Sequence, residues 1–144
     1  MQNLICCRLL LSEHTHISLA AHSLLFRELF KAFYPDRRLV VDFMPHTYSR
    51  TGEFFDGFVT AFDATDVLIL HAVYPSARET LGSPTGRDLF NAVRDRRAST
   101  YYFEEHNEAV SQIANLLLPG DLFLTLGAGD NWKVGQSLFR GEAS

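Results

Sequence analysis

Five short apolar runs, Leu4–Leu11, Leu39–Met44, Val67–Leu70, Thr100–Phe103 and Asp121–Leu126, alternate along the chain with stretches of helical periodicity. In those stretches apolar residues recur three or four positions apart. The spacing predicts a first helix through Ile17, Ala20, Ala21, Leu24, Leu25, Leu29 and Phe33, ended by Pro35. A second, phenylalanine-rich helix carries Phe54, Phe55, Phe58, Val59 and Phe62, with Glu53 and Asp56 at its positive end; this stripe is read as core. A third follows through Leu89, Phe90 and Val93 and closes on the solvated basic group Arg94–Arg97. A fourth, through Ala109, Val110, Ile113, Ala114, Leu116 and Leu117, is stopped by Pro119-Gly120, and a last helix carries Trp132, Val134 and Leu138. Repeated strand–helix alternation of this kind predicts a three-layer α/β domain, with a mainly parallel sheet, helices on both faces and right-handed crossovers.

Polar residues gather where strands end. The run Leu39–Met44 stops at Pro45 and gives way to His46, Thr47, Tyr48, Ser49 and Arg50, a loop at the carboxyl end of a strand, where ligands bind in open α/β sheets. Val67–Leu70 leads likewise into a polar loop, His71–Glu79. After the last strand, Gly127-Ala128-Gly129-Asp130 precedes a helix. Glycines that admit a close backbone approach, followed by a helix start, suit a phosphate or other anion, and a tight turn capped by Asp130 suits the same residues.

Composition narrows the function classes. A chain of 144 residues is the size of one domain, and the Gly/Pro-rich stretch Leu81–Gly86 is too short to divide it. A net charge of −4 leaves no basic footprint for nucleic acid. The longest charge-free apolar run, Ile17–Phe26, falls short of the ~20 residues a membrane span requires. The first residues do not read as a signal peptide, so the expected compartment is the cytoplasm. Cys6 and Cys7 are adjacent and form no disulfide framework, and His14-x-His16 with His22 matches no common zinc spacing, so no metal site is expected.

Taken together, Phe43–Thr51, His71–Glu79 and Pro119–Lys133 resemble three motifs of the carboxyl-terminal domain of the Mur ligases, FQPHRYSRT, (D/E)IYPARE and PGDLVLTMGAGDIW, in the form found in the UDP-N-acetylmuramate:L-alanine ligases. The resemblance implies a Rossmann-like domain of an ATP-dependent ligase of peptidoglycan synthesis, which joins L-alanine to UDP-N-acetylmuramate through an acyl-phosphate. It further implies that His46, Tyr48, Arg50 and His14 face substrate and that Gly127, Gly129 and Asp130 form a nucleotide-side turn, with no catalytic residue on this chain.

The sequence also departs from the family. Thr47 stands where the family commonly has Arg, and of its amino-terminal motif DDYAH-x-P only His14 survives among Leu10–His16. Residues 1–16 are therefore expected to be an atypical segment, from a replaced or out-of-frame start, that carries the first strand, with the ligase domain over 17–144. No GxxxxGK[ST] is present. ATP and Mg would belong to the complete enzyme with its amino-terminal and central domains, none would bind tightly here, and the chain alone would not turn over. The alternatives are a free-standing α/β module that binds an anionic ligand at Gly127–Asp130, and a degenerate, truncated domain.

Overall fold

Strands that are apolar along their whole length must be covered on both faces, and this requirement shapes the domain. In the computed structural model, which describes residues 5–10, 30–79, 82–97, 99–127 and 129–141, β1 (Ile5–Leu10), β2 (Leu39–Met44), β3 (Val67–His71), β4 (Thr100–Phe103) and β5 (Leu122–Gly127) form one sheet. Its order is β1-β5-β2-β3-β4 and every pairing is parallel. The strand expected near the amino end is integral: Ile5 through Leu10 pair in register with Leu122 through Gly127.

Helices α1 (Tyr48–Glu53), α2 (Phe55–Ala61), α3 (Gly86–Arg94), α4 (Val110–Leu116) and α5 (Trp132–Arg140) complete the described elements. Residues 30–33 are helical; the remainder of the helix expected over Ile17–Phe33 lies outside the described residues. Alternation divides the core into two layers. Leu39, Val41, Phe43, Leu68, Leu70, Leu124 and Leu126 meet Phe58 and Phe62 of the α2 segment and Leu89 and Val93 of α3. On the other face Val40, Val67, Ile69 and Phe123 meet Ile113 of α4 and Val134 and Leu138 of α5. Three layers result, as the pattern predicted.

Two local expectations change. The phenylalanine stripe does not lie on one long helix: helical structure begins earlier, at Tyr48, and is divided at Phe54, whose φ of −109° and ψ of 17° lie outside the helical region. Nor is the whole basic group Arg94–Arg97 solvated. Arg97 is half-buried, and its guanidinium donates to the carbonyls of Phe62 and Thr65 and to the Thr65 hydroxyl, closing the turn after α2.

At the amino-terminal edge of the sheet a clamp holds the two central strands. Arg38 grips Asp121 with two hydrogen bonds, of 3.0 and 2.7 Å, and also donates to the Leu116 carbonyl at 2.8 Å. Asp121 in turn accepts from the Leu118 amide. Pro119–Asp121 therefore serve the end of the sheet opposite the polar loops. The depression of about 560 Å³ beside these residues is walled by groups already engaged with one another.

Phe43 is fully buried, and its ring lies 5.3 Å from Phe58 and 5.0 Å from Phe62. Phe43→Ala is expected to cost about 3–5 kcal/mol in urea unfolding. Leu118→Ala, at a position 56% exposed, should stay within about 0.5 kcal/mol of the parent in the same assay.

Candidate functional site at the strand switch point

β2 and β5 are neighbours, yet the chain leaves them in opposite directions, toward α1 and α2 on one face and toward α5 on the other. Such a reversal opens a crevice at the carboxyl ends of the two strands, the usual ligand position in open α/β sheets. The loops flanking it carry His46, Tyr48 and Arg50 on one side and Gly127, Gly129 and Asp130 on the other. His14 lies outside the described residues.

The first loop is fastened to the second by backbone. The Thr47 amide donates to the Tyr74 carbonyl at 2.9 Å and the Tyr74 amide to the Pro45 carbonyl at 2.8 Å, a parallel bridge between His46 and Tyr74 that prolongs the β2–β3 pairing. Their rings stack at 6.2 Å. Thr47 sits at φ 59°, ψ 144°, a conformation that costs a β-branched residue on the order of 1–3 kcal/mol. Its surroundings hold it there: the hydroxyl accepts from the Arg50 amide at 3.3 Å, and its carbonyl accepts from the Thr51 amide and hydroxyl at 3.1 and 2.7 Å.

Tyr48, Ser49 and Arg50 are accordingly not loop residues but the first turn of α1. That turn has a carboxylate at its amino end. Glu79 accepts from the amides of Tyr48 and Ser49 at 3.2 Å each and from the Ser49 hydroxyl at 2.8 Å, and it also takes the Ser76 amide at 3.4 Å. The Ser49 hydroxyl, with the amide donors added, holds the Glu79 carboxyl below its usual range. Tyr48 is half-buried and Arg50 half-buried on the same turn, while Tyr74 and Arg78 are exposed.

The third loop packs against the first two. Gly127 has φ +137°, and a Cβ there would lie 2.5 Å from the Met44 carbonyl; one at Gly129 would lie 2.2 Å from Met44 Sδ and 3.0 Å from the Tyr74 ring. Gly127 is thus required by backbone, and Gly129 leaves room for the side chains of Met44 and Tyr74. Asp130 does not cap α5: the N-cap is Asn131, and the Asp130 carboxylate meets Lys133 Nζ at 2.7 Å. Among the described residues no group of three metal-ligating side chains occurs.

Beneath these loops lies a buried polar cluster that motif reading missed. His71, expected at the start of a loop, ends β3, with Nε2 2.7 Å from Asp42 Oδ2 and Nδ1 3.0 Å from the Phe103 carbonyl; both residues are fully buried. The Asn131 amide donates to Asp42 Oδ1 at 2.7 Å, to the Asp42 carbonyl at 3.2 Å and to the Leu126 carbonyl at 3.1 Å. Only one sequence signal pointed here: Asp42 is the single charge inside the run Leu39–Met44. The His106 ring stands edge-on to His71 at 5.9 Å, beside a cavity of about 240 Å³ lined by Met44, Tyr74, Glu104 and Glu105.

Burial disfavours the His71 cation, but the Asp42 charge, the Asp42 hydrogen bond and the Phe103 carbonyl outweigh it and raise the imidazole pKa above 6.5. A histidine raised in this way adds stability that is complete below the unfolded pKa and is lost as pH rises through the folded one. His106, lowered by burial and by the His71 charge, acts with the opposite sign as pH falls below 6.5. The stability difference between the parent chain and Asp42→Asn should therefore shrink as pH is raised from the ordinary histidine value into the alkaline range, measured by urea unfolding at each pH. A difference that stays level over this interval would show that His71 holds no extra proton.

No family model matches the sequence. The chain is 48% identical over 110 residues to UDP-N-acetylmuramate–L-alanine ligase of Treponema pallidum strain Nichols, 76% of this chain and 23% of that protein. It is 43% identical over 103 residues to the ligase of the same name from Borreliella burgdorferi, 71% of this chain and 22% of that protein. The chain thus spans about a quarter of the length of the curated relatives it matches. Among solved structures, UDP-N-acetylmuramate-alanine ligase of Thermotoga maritima superposes with a TM-score of 0.60 at 17% identity, covering 85% of this chain and 24% of that one. A domain of a UDP-N-acetylmuramate:L-alanyl-gamma-D-glutamyl-meso-diaminopimelate ligase from Haemophilus ducreyi superposes with a TM-score of 0.61 at 15% identity, covering 96% and 91%. These superpositions share the fold, and the sequence relationship is specific: the chain belongs to the Mur ligase family and corresponds to its carboxyl-terminal domain.

Proposed function

We propose that this domain positions L-alanine in an ATP-dependent UDP-N-acetylmuramate:L-alanine ligase of cytoplasmic peptidoglycan synthesis, with the ligase domain over 17–144 and β1 supplied by the preceding segment. The observation that carries the reading is the segment His46–Arg50, in which Thr47 is held in a strained conformation at the switch-point crevice of a chain with this kinship. Strain kept in place by several hydrogen bonds at a ligand position fits a preorganised binding loop.

Arg50 is the residue suited to the amino-acid carboxylate. A guanidinium can grip it with two parallel charge-assisted hydrogen bonds, each worth about 1.5–3 kcal/mol. His46, stacked on Tyr74, borders the same crevice and offers a ring nitrogen to the substrate. Tyr48 contributes a wall, and the turn from Gly127 to Asp130 faces the nucleotide side. When the carboxylate of UDP-N-acetylmuramate has been activated as a mixed anhydride elsewhere in the ligase, an alanine held here by its own carboxylate presents its amine for attack. In the complete enzyme ATP and Mg, held by the other two domains, would supply that activation, and phosphate would leave as the amide forms. This chain binds, orients and closes over the site.

Two results test the proposal. Alone, with UDP-N-acetylmuramate, L-alanine and Mg-ATP, the chain should release no phosphate above background, whereas grafted in place of the matching segment of the Treponema pallidum ligase it should restore turnover. Within that graft, Arg50→Ala should raise the KM for L-alanine about 10- to 100-fold with a smaller change in kcat, the loss of about 1.4–2.8 kcal/mol of carboxylate binding. Turnover by the isolated chain, or an unchanged alanine KM in Arg50→Ala, would contradict it.

A further inference from the structure

The three loops are placed only as well as the strand ends that carry them, and those ends are joined by one set of side chains. Asp42 lies on β2, two residues before the strand gives way to Pro45. His71 closes β3 and reaches both Asp42 and the last residue of β4. Asn131 opens α5 and binds β2 through Asp42 and β5 through Leu126. We propose that Asp42, His71 and Asn131 are positioning residues for the amino-acid site, fixing the spacing of the His46–Arg50 turn, the Tyr74 wall and the Gly127–Gly129 turn without touching substrate. The inference rests on the ligase reading above for its substrate.

Hydrogen-bond bookkeeping shows how closed the cluster is. The Phe103 carbonyl can only accept, so His71 Nδ1 carries a proton; when the pair is ionised Nε2 carries a second and donates it in a hydrogen bond to Asp42 Oδ2 at 2.7 Å. Asp42 Oδ1 is taken by Asn131. The titratable groups facing His71 are Asp42 from β2 and the His106 ring from beyond β4, with Asp130 and Glu105 acting on His106 from farther out.

Stability alone does not explain such a cluster. Directly below it on the same face, Val40, Ile69 and Phe123 fill the equivalent layer with apolar side chains. A buried ion pair commonly contributes no more than a well-packed apolar replacement, because desolvation offsets the attraction. What the ion pair and amide add is direction: each bond fixes an angle between two strand ends, and an apolar contact would leave that angle free. The contacts above depend on that angle, since Met44 touches Gly127 and Gly129 closely and Tyr74 touches Gly129.

Asp42→Asn separates geometry from charge. Its amide oxygen can still accept from Asn131, and its amide nitrogen can donate to a neutral His71 Nε2 while Nδ1 still donates to Phe103. Asp42→Ala removes the joint. Asn131→Ser withdraws the amide from Leu126 and Asp42 and leaves a small polar residue of a type common at helix starts.

The first arm uses the isolated chain, with folding checked by thermal unfolding. Amide NMR resonances of Thr47, Tyr74 and Gly129 should move together in Asp42→Ala and in Asn131→Ser, and return near their parent positions in Asp42→Asn. The second arm uses the graft. There the KM for L-alanine should rise at least about tenfold in Asn131→Ser and Asp42→Ala, with the KM for ATP within about twofold, and Asp42→Asn should recover most of the loss. Should Asp42→Ala fail to fold, Asn131→Ser decides both arms. A folded Asn131→Ser with unmoved Tyr74 and Gly129 resonances overturns the proposal, as does an unchanged alanine KM, or a defect that Asp42→Asn does not relieve. An unmodified graft without turnover instead sinks the ligase reading, and the resonance arm still decides whether the three residues set the loop spacing.

Discussion

A carboxylate with no solvent exposure in the middle of a parallel sheet has to be answered by its neighbours, and the way Asp42 is answered organises the upper end of this domain. His71 from β3 supplies the charge partner, and Asn131 from the start of α5 supplies the amide. Because these partners come from different elements, satisfying one buried group aligns three strand ends at once. The loops that follow inherit that alignment.

At the opposite edge Arg38 and Asp121 join β2 and β5 through a two-point ion pair. The two central strands are thus tied at both ends, while the apolar layers between them provide most of the burial. This division of labour explains why the crevice can hold a strained residue. Thr47 keeps its positive φ because the Tyr74 carbonyl, the Arg50 amide and Thr51 all bind it, and Tyr74 is itself held by the Pro45 carbonyl. Glu79 adds the remaining constraint by occupying the amino end of α1, so that the helix presents Arg50 from a fixed turn.

The layers were legible in the sequence because periodicity reports burial. Leu39–Met44 and Thr100–Phe103 are strands with the boundaries their apolar runs predicted, and Val110–Leu116 is the fourth helix. The placement of His46–Arg50 after β2, and of Gly127–Asp130 at the end of β5, its neighbour in the sheet, was legible through motif spacing. What escaped reading depends on contacts between residues far apart in the chain. Asp42 and Asn131 are 89 positions apart, and no local pattern couples them. The break at Phe54 and the helical state of Tyr48–Glu53 follow from Thr47 and Glu79 capping a turn that propensity alone would leave as loop. The close approach of Met44 and Tyr74 to the two glycines was not legible either, since a sequence shows that space is needed but not which neighbours border it.

In the proposed function the substrate carboxylate lies against a turn whose conformation the rest of the domain enforces. A crystal structure of the grafted ligase with L-alanine bound tests this most directly. The account predicts the alanine carboxylate within about 2.7–3.2 Å of the Arg50 guanidinium nitrogens, with Thr47 still at positive φ. Alanine held entirely by residues outside 45–50, with Arg50 directed to other partners, would contradict it.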